Sequence, residues 1–84
     1  MFKIEWKPKA VRQLHKIKDT EITDSIKTAT YLLQNWPECT NIIKLKSRSE
    51  YRMRVGNWRI FFDVDQVVRI IEIQEVKKRN ERTY

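Results

Sequence analysis

Three arginines alternate with apolar residues around one tight turn, Arg52 and Arg54 before Gly56-Asn57 and Arg59 after it. Tyr51, Met53 and Val55 alternate with Arg52 and Arg54, and then Trp58, Ile60, Phe62 and Val64 alternate with Arg59, Phe61 and Asp63. That is the period of a β-strand. A Gly-Asn pair with glycine leading suits a two-residue type II′ hairpin turn. Such a turn sets the register: Arg54 opposite Arg59, Arg52 opposite Phe61, Met53 opposite Ile60 and Tyr51 opposite Phe62. One side of the ribbon is then apolar, and the other carries three guanidinium groups in one patch. Planar, permanently charged forks in this arrangement suit bidentate binding of phosphate. Phe61, on the same side, adds a surface on which a base could stack.

Like charges directly across a strand pair oppose folding by up to about 1 kcal/mol. The patch therefore needs a reason, and two are open. Either the side chains splay into solvent or pair with Asp63 or Glu72, or they form an anion site. The basic tail Lys77-Lys78-Arg79-Asn80-Glu81-Arg82-Thr83-Tyr84 bears on the choice, because it leaves the last strand beside the hairpin and its first residues reach the arginine face. Two other residue types offer less. His15, the single histidine, follows Leu14 on the first helix and reads as a surface or helix-packing residue. Cys39, the single cysteine, has no partner for a disulfide or a metal site. It reads as a loop or half-buried thiol, consistent with a reducing cytoplasm.

The elements that position these residues fit one domain over residues 1–84. A chain of this length buries only about 60 to 65% of its unfolded surface, so its stability is modest. With 40% hydrophobic residues, three each of Trp, Tyr and Phe, and a single Gly, it is not disordered by composition. The formal charge of +7, from 18 Lys and Arg against 11 Asp and Glu, favours a polyanionic partner, nucleic acid or acidic protein. Lys3, Glu5 and Lys7 interrupt any apolar leader, and no stretch approaches the roughly 20 apolar residues of a membrane span. A soluble cytoplasmic protein without membrane or metal partners and without a cofactor is expected.

Phe2, Ile4 and Trp6 alternate with Lys3 and Glu5 as in a half-buried strand. Pro8 opens a short amphipathic helix over 8–18, with Ala10, Val11, Leu14 and Ile17 on one face. Asp19 or Thr20 caps a second helix whose stripe is Ile22, Ile26, Ala29 and Leu33, extended by Tyr31 and Leu32, and which ends at Trp36-Pro37. A connection over 37–50 follows, tucked in by Ile42, Ile43 and Leu45. After the hairpin, Asp65-Gln66 reverses the chain into a strongly apolar, central third strand over 67–76. The predicted class is α+β in the order β-α-α-β-β-β, a helical hairpin packed on one face of a mainly antiparallel sheet.

Lys44-Leu45-Lys46 followed by Tyr51-Arg52-Met53-Arg54-Val55-Gly56-Asn57-Trp58-Arg59 resembles the centre of RelE/ParE superfamily toxins, where K-L-K precedes Y-R-x-R-x-G-x-[YW]-R. The final strand running into Val76-Lys77-Lys78-Arg79 and closing on Tyr84 is similar to that family's end. The resemblance extends over the whole chain and implies a RelE-like fold and a toxin held by a cognate antitoxin. In the RelE branch it implies an endoribonuclease that enters the A site of the 70S ribosome and cuts mRNA by 2′-hydroxyl attack on the adjacent phosphate. By position, Arg54 and Arg59 match residues that clamp the scissile phosphate, and Arg79 matches an arginine that stabilises charge or the leaving group. Tyr84 matches a tyrosine that stacks on or orients the substrate. Arg52 matches a basic residue turned toward the RNA or a general base. With it Lys44, Lys46, Arg48, Phe61, Lys77, Lys78 and Arg82 are expected to hold RNA. The ParE branch, which poisons DNA gyrase, and a non-catalytic RNA-binding module are the competing functions.

Some family members carry lysines where this chain has Arg52 and Arg54. A lysine can lose its proton and act as a base, whereas an arginine, with a pKa above about 12, cannot. The general base is therefore unassigned, with Glu50 and Lys46 near enough in sequence to be considered.

Overall fold

The computed structural model describes residues 1–46 and 49–79. Five strands and two helices follow in the order β1 (Lys3–Trp6), α1 (Pro8–His15), α2 (Thr20–Tyr31), β2 (Ile42–Lys44), β3 (Tyr51–Val55), β4 (Trp58–Asp65) and β5 (Ile70–Lys78), with a 3-10 turn over Leu32–Asn35 closing α2. The sheet order is β1-β5-β4-β3-β2. β1 runs parallel to β5, and every other pair is antiparallel. The α+β class and the helix pair on a mainly antiparallel sheet are as the sequence indicates, with β2 added as a short edge strand. None of the described helices is long and apolar enough to cross a membrane.

Each helix is fixed at its start by local chemistry. Pro8 opens α1, where its missing N–H leaves no bond unmade. Asp19 caps α2, its Oδ1 accepting from the amides of Glu21 at 2.9 Å and Ile22 at 3.4 Å. That cap demands extended backbone at Asp19, with φ −80 and ψ 112. It is the reason α1 stops at His15 rather than running to Lys18: the amides of Lys16 and Ile17 close a last turn onto Gln13 and Leu14. The apolar stripe of α2 is narrower than its composition suggests. Ile26, Thr30 and Leu33 are buried, but Tyr31 and Leu32 are 67% and 51% exposed, because at about 100° per residue they lie about 140° and about 120° around the helix from Ile26, off the buried stripe.

The third strand of the meander starts later than the apolar run. Asp65 Oδ1 accepts from the amides of Val67 and Val68 at 3.0 and 3.2 Å, and Arg69 takes a positive φ of 60. Val67 and Val68 therefore lie in the turn, 92% and 59% exposed, and β5 begins at Ile70. β5 is interior, between β1 and β4, while the middle strand is β4.

Phe62, Ile60, Ile71 and Ile73 have no exposed surface and form the core with Ile26 and Leu33 of the helical layer. Trp36 meets Tyr51 edge to face at 4.8 Å and Phe62 at 5.8 Å, and Tyr51 stacks on Phe62 at 5.7 Å. These aromatic contacts close the helix-covered face of the hairpin.

Candidate active site

The hairpin takes the register that its two-residue turn dictates, with Arg54 opposite Arg59, Arg52 opposite Phe61, Met53 opposite Ile60 and Tyr51 opposite Phe62. Gly56 supplies the positive φ of 58 that a II′ turn needs at its first position. Met53, Ile60 and Phe62 are buried on the helix-covered face. By alternation Arg52, Arg54, Arg59 and Phe61 then stand on the opposite, outer face, Arg54 exposed and the other three half-buried.

A bulge brings β5 into phase with this face. Phe61 pairs with Glu75 but Phe62 pairs with Ile73, so Gln74 is an extra residue on β5. Past it the alternation inverts: Val76 is buried three residues after Ile73, and Glu75 and Lys77 turn outward. Lys77 lies directly opposite Arg59, giving a row of three cations, Arg54, Arg59 and Lys77, across three neighbouring strands. Strands sit about 4.8 Å apart, so the row spans about 10 Å. Arg79 continues the pairing, its amide donating to the Asn57 carbonyl at 2.6 Å, and alternation puts it on the same side at the hairpin tip.

Asp63 and Glu72, the carboxylates considered as partners for the arginines, are elsewhere, and within the row it is Lys77 that meets a carboxylate, that of Glu75. Among the described residues Arg52, Arg54 and Arg59 form no ion pair within 4.0 Å. Asp63 and Glu72 face each other toward the other end of the sheet. Glu72 is 3.5 Å from the Lys7 ammonium, and Asp63 accepts from Gln74 Nε2 at 2.9 Å. Burial pushes the Asp63 carboxyl above its usual range, helped by the Glu50 and Glu72 charges and opposed by the Gln74 hydrogen bond and Lys7. The pairing of the arginines with Asp63 or Glu72 is thus absent. Burial and the charge of Glu38 likewise push the Cys39 thiol up. That thiol is half-buried in its loop, and His15 is exposed at the end of α1.

The other sequence candidates divide. Lys77 is in the row, but its ammonium is 3.2 Å from Glu75 and 5.8 Å from the centre of the Phe61 ring, so part of that stacking surface is occupied. Lys44 stands on the helix-covered face, 5.7 Å from the Tyr51 ring, and not among the arginines. Lys78 pairs with Trp58 and also turns to the helix side, where it lines a cavity of about 440 Å³ with Glu21, Ser25 and Trp58. Lys46 is exposed in the turn after β2. Arg48, Arg82 and Tyr84 lie outside the described residues. Missed in the sequence were Glu75 and its second partner, Lys9 of α1, 3.7 Å away. The signal was present in Ile71-Glu72-Ile73-Gln74-Glu75-Val76, where strict alternation fails at Glu75, the second of two polar residues in a row.

The geometry matches known proteins at two levels. Among solved structures, the RelBE2 toxin–antitoxin complex from Mycobacterium tuberculosis superposes with a TM-score of 0.82 at 20% identity, covering 93% of this chain and 98% of that one. The archaeal RelE–RelB complex from Pyrococcus horikoshii OT3 gives 0.82 at 21% identity, covering 96% and 98%. The RelB–RelE complex from Methanococcus jannaschii gives 0.72 at 26% identity, covering 88% of each chain. No curated protein sequence matches significantly. The family model described as the ParE toxin of the type II toxin–antitoxin system parDE matches residues 4–82. With that match over nearly its whole length, the chain belongs to the ParE toxin family within the RelE/ParE superfamily, the toxins of type II toxin–antitoxin systems.

Proposed function

We propose that this toxin is a ribosome-dependent endoribonuclease that cuts mRNA in the A site without a metal. The observation that carries the reading is the outward row of Arg54, Arg59 and Lys77, whose two arginines face each other with no carboxylate partner among the described residues. Phosphoryl transfer chiefly needs positioning and compensation of charge on the equatorial oxygens. Arg54 and Arg59 clamp the scissile phosphate from adjacent strands, their bonds strengthening as charge develops in the transition state. Arg79, anchored at the hairpin tip through its amide, supports the departing side. Arg52 and Phe61 hold the neighbouring nucleotide. Tyr84 is assigned to substrate stacking by position alone.

The partner in the resting cell is a cognate antitoxin. Relatives solved as RelE–RelB complexes support this, as does the +7 charge, which favours an acidic neutralising segment. A second reading, inhibition of DNA gyrase, is favoured by one observation, that the matching family model is that of the ParE toxin. Brief expression followed by mapping of mRNA 5′ ends, with gyrase supercoiling assayed in parallel, separates the two. Codon-phased cuts with normal supercoiling are expected. Loss of supercoiling over intact mRNA would establish the second reading instead.

A further inference from the structure

The cleavage proposed above requires a group to take the proton from the attacking 2′-hydroxyl, and the guanidiniums of the row cannot do so because they stay protonated. No histidine is on the outer face, since the single one ends α1. Asp63 is four residues from Arg59 along β4, and Glu50 is four residues from Arg54 along the chain entering β3. At the rise of a strand each is about 13 Å from the row, beyond the reach of a nucleotide held there.

Glu75 is placed differently. It is the next outward residue from Lys77 on β5 and stands directly opposite Phe61. It is therefore diagonal to Arg59, a separation of about 7 to 8 Å between backbones. One nucleotide between a glutamate and an arginine side chain fills that distance. The carboxylate is also held in place. Lys77 and Lys9 both approach Oε1, at 3.2 and 3.7 Å, from β5 and from α1. Oε1 is buried, and neither contact is a hydrogen bond. Among the described residues Oε2 accepts from no donor. A carboxylate only 19% exposed in the middle of a phosphate-binding face opposes anion binding unless it does chemistry there.

We propose that Glu75 is the general base of this cleavage, with Lys9 and Lys77 as the positioning residues that orient it; the proposal rests on the nuclease reading. Glu75 removes the proton from the 2′-hydroxyl as the 2′-oxygen bonds to phosphorus. The P–O5′ bond breaks, and the leaving 5′-oxygen takes a proton from water, giving a 2′,3′-cyclic phosphate and a 5′-hydroxyl. The proton on Glu75 then returns to solvent, so the step is balanced without redox change. The charged groups around the carboxylate are Lys9 of α1, Lys77 of β5, Arg59 and Asp63 on the two diagonals of β4, and Arg52 beyond Phe61 on β3.

The test is single-turnover cleavage of mRNA on programmed ribosomes by the full toxin and by Glu75→Gln, over a range of pH. An active wild-type toxin and a Glu75→Gln rate lower by about 10² to 10⁴ are expected, with KM unchanged. The pH dependence due to one ionising carboxylate should vanish in the variant, and Glu75→Asp should recover part of the rate. The defect should persist on a substrate whose 5′-oxygen is replaced by sulfur, because a better leaving group does not replace a base. Rescue by sulfur would make Glu75 the acid, and a raised KM at unchanged kcat would make it a binding residue; either overturns the assignment, as does a Glu75→Gln rate near wild type. Intact mRNA with the wild-type toxin would instead refute the nuclease reading itself.

Discussion

At the scale of single residues, Arg54 and Arg59 gain their meaning from what is missing around them, since every nearby carboxylate is engaged by another group or lies toward the far end of the sheet. Replacing Arg59 with Ala should abolish growth arrest while antitoxin binding, read by co-purification, is preserved. The expected loss of cleavage rate is about 10² to 10³. Arg59→Lys should recover little of it, because an ammonium does not reproduce the bidentate fork. Survival of arrest at equal protein level would remove Arg59 from the site. Asp63 belongs to the far, acidic part of the face. Its folded-state pKa is raised above the ordinary 3.8, so its contribution to stability is present below that value and is lost as pH rises through the folded-state value. Asp63→Asn should therefore raise the melting temperature at pH 7, the gain fading as the pH approaches 3. A lower melting temperature at pH 7 would contradict the direction of the shift. The arginine pairing was legible in the sequence because a two-residue turn leaves one register. Glu75 was not, because an inserted residue on β5 changes which side chains share a face, and a broken alternation does not say where the ladder absorbs it.

At the scale of elements, the hairpin turn is the part on which the site depends. Gly56 has φ +58, and a Cβ added there meets nothing within 4 Å, so the penalty for any side chain is backbone strain alone. Gly56→Ala should cost about 1 to 2 kcal/mol, measurable by urea denaturation. It should also lower cleavage more than that loss of stability explains, because Arg54 and Arg59 flank the turn one residue out on each strand. An unchanged denaturation midpoint would show that the turn relaxes without strain. Both helices and the three meander strands could be read from periodicity and caps. The parallel docking of β1 on β5 could not, since it joins segments some 67 residues apart and nothing local encodes it. β2 was missed for a related reason: three residues are too few for a period, and only the waiting edge of β3 makes them a strand. The length of α1 and the start of β5 differed because Asp19 and Asp65 recruit backbone amides, which side-chain hydrophobicity does not register.

At the scale of the molecule, one sheet separates two tasks. The helix-covered face supplies the core, and the outer face is polarised, with cations at the hairpin end and Glu72 and Asp63 toward the other. The strands are laddered together, and Trp36 packs beneath the hairpin against Tyr51 and Phe62. For the proposed cleavage, such a sheet offers its side chains to a transition state at little reorganisation cost. The measurement closest to this claim is the fate of a defined mRNA on purified 70S ribosomes given the purified toxin, with both new ends identified chemically. Cutting within the A-site codon is predicted, leaving a 2′,3′-cyclic phosphate and a 5′-hydroxyl, with Arg54→Ala and Arg59→Ala each nearly inactive. Full-length mRNA after prolonged incubation with folded toxin, or cutting that persists when both arginines are removed, would contradict it.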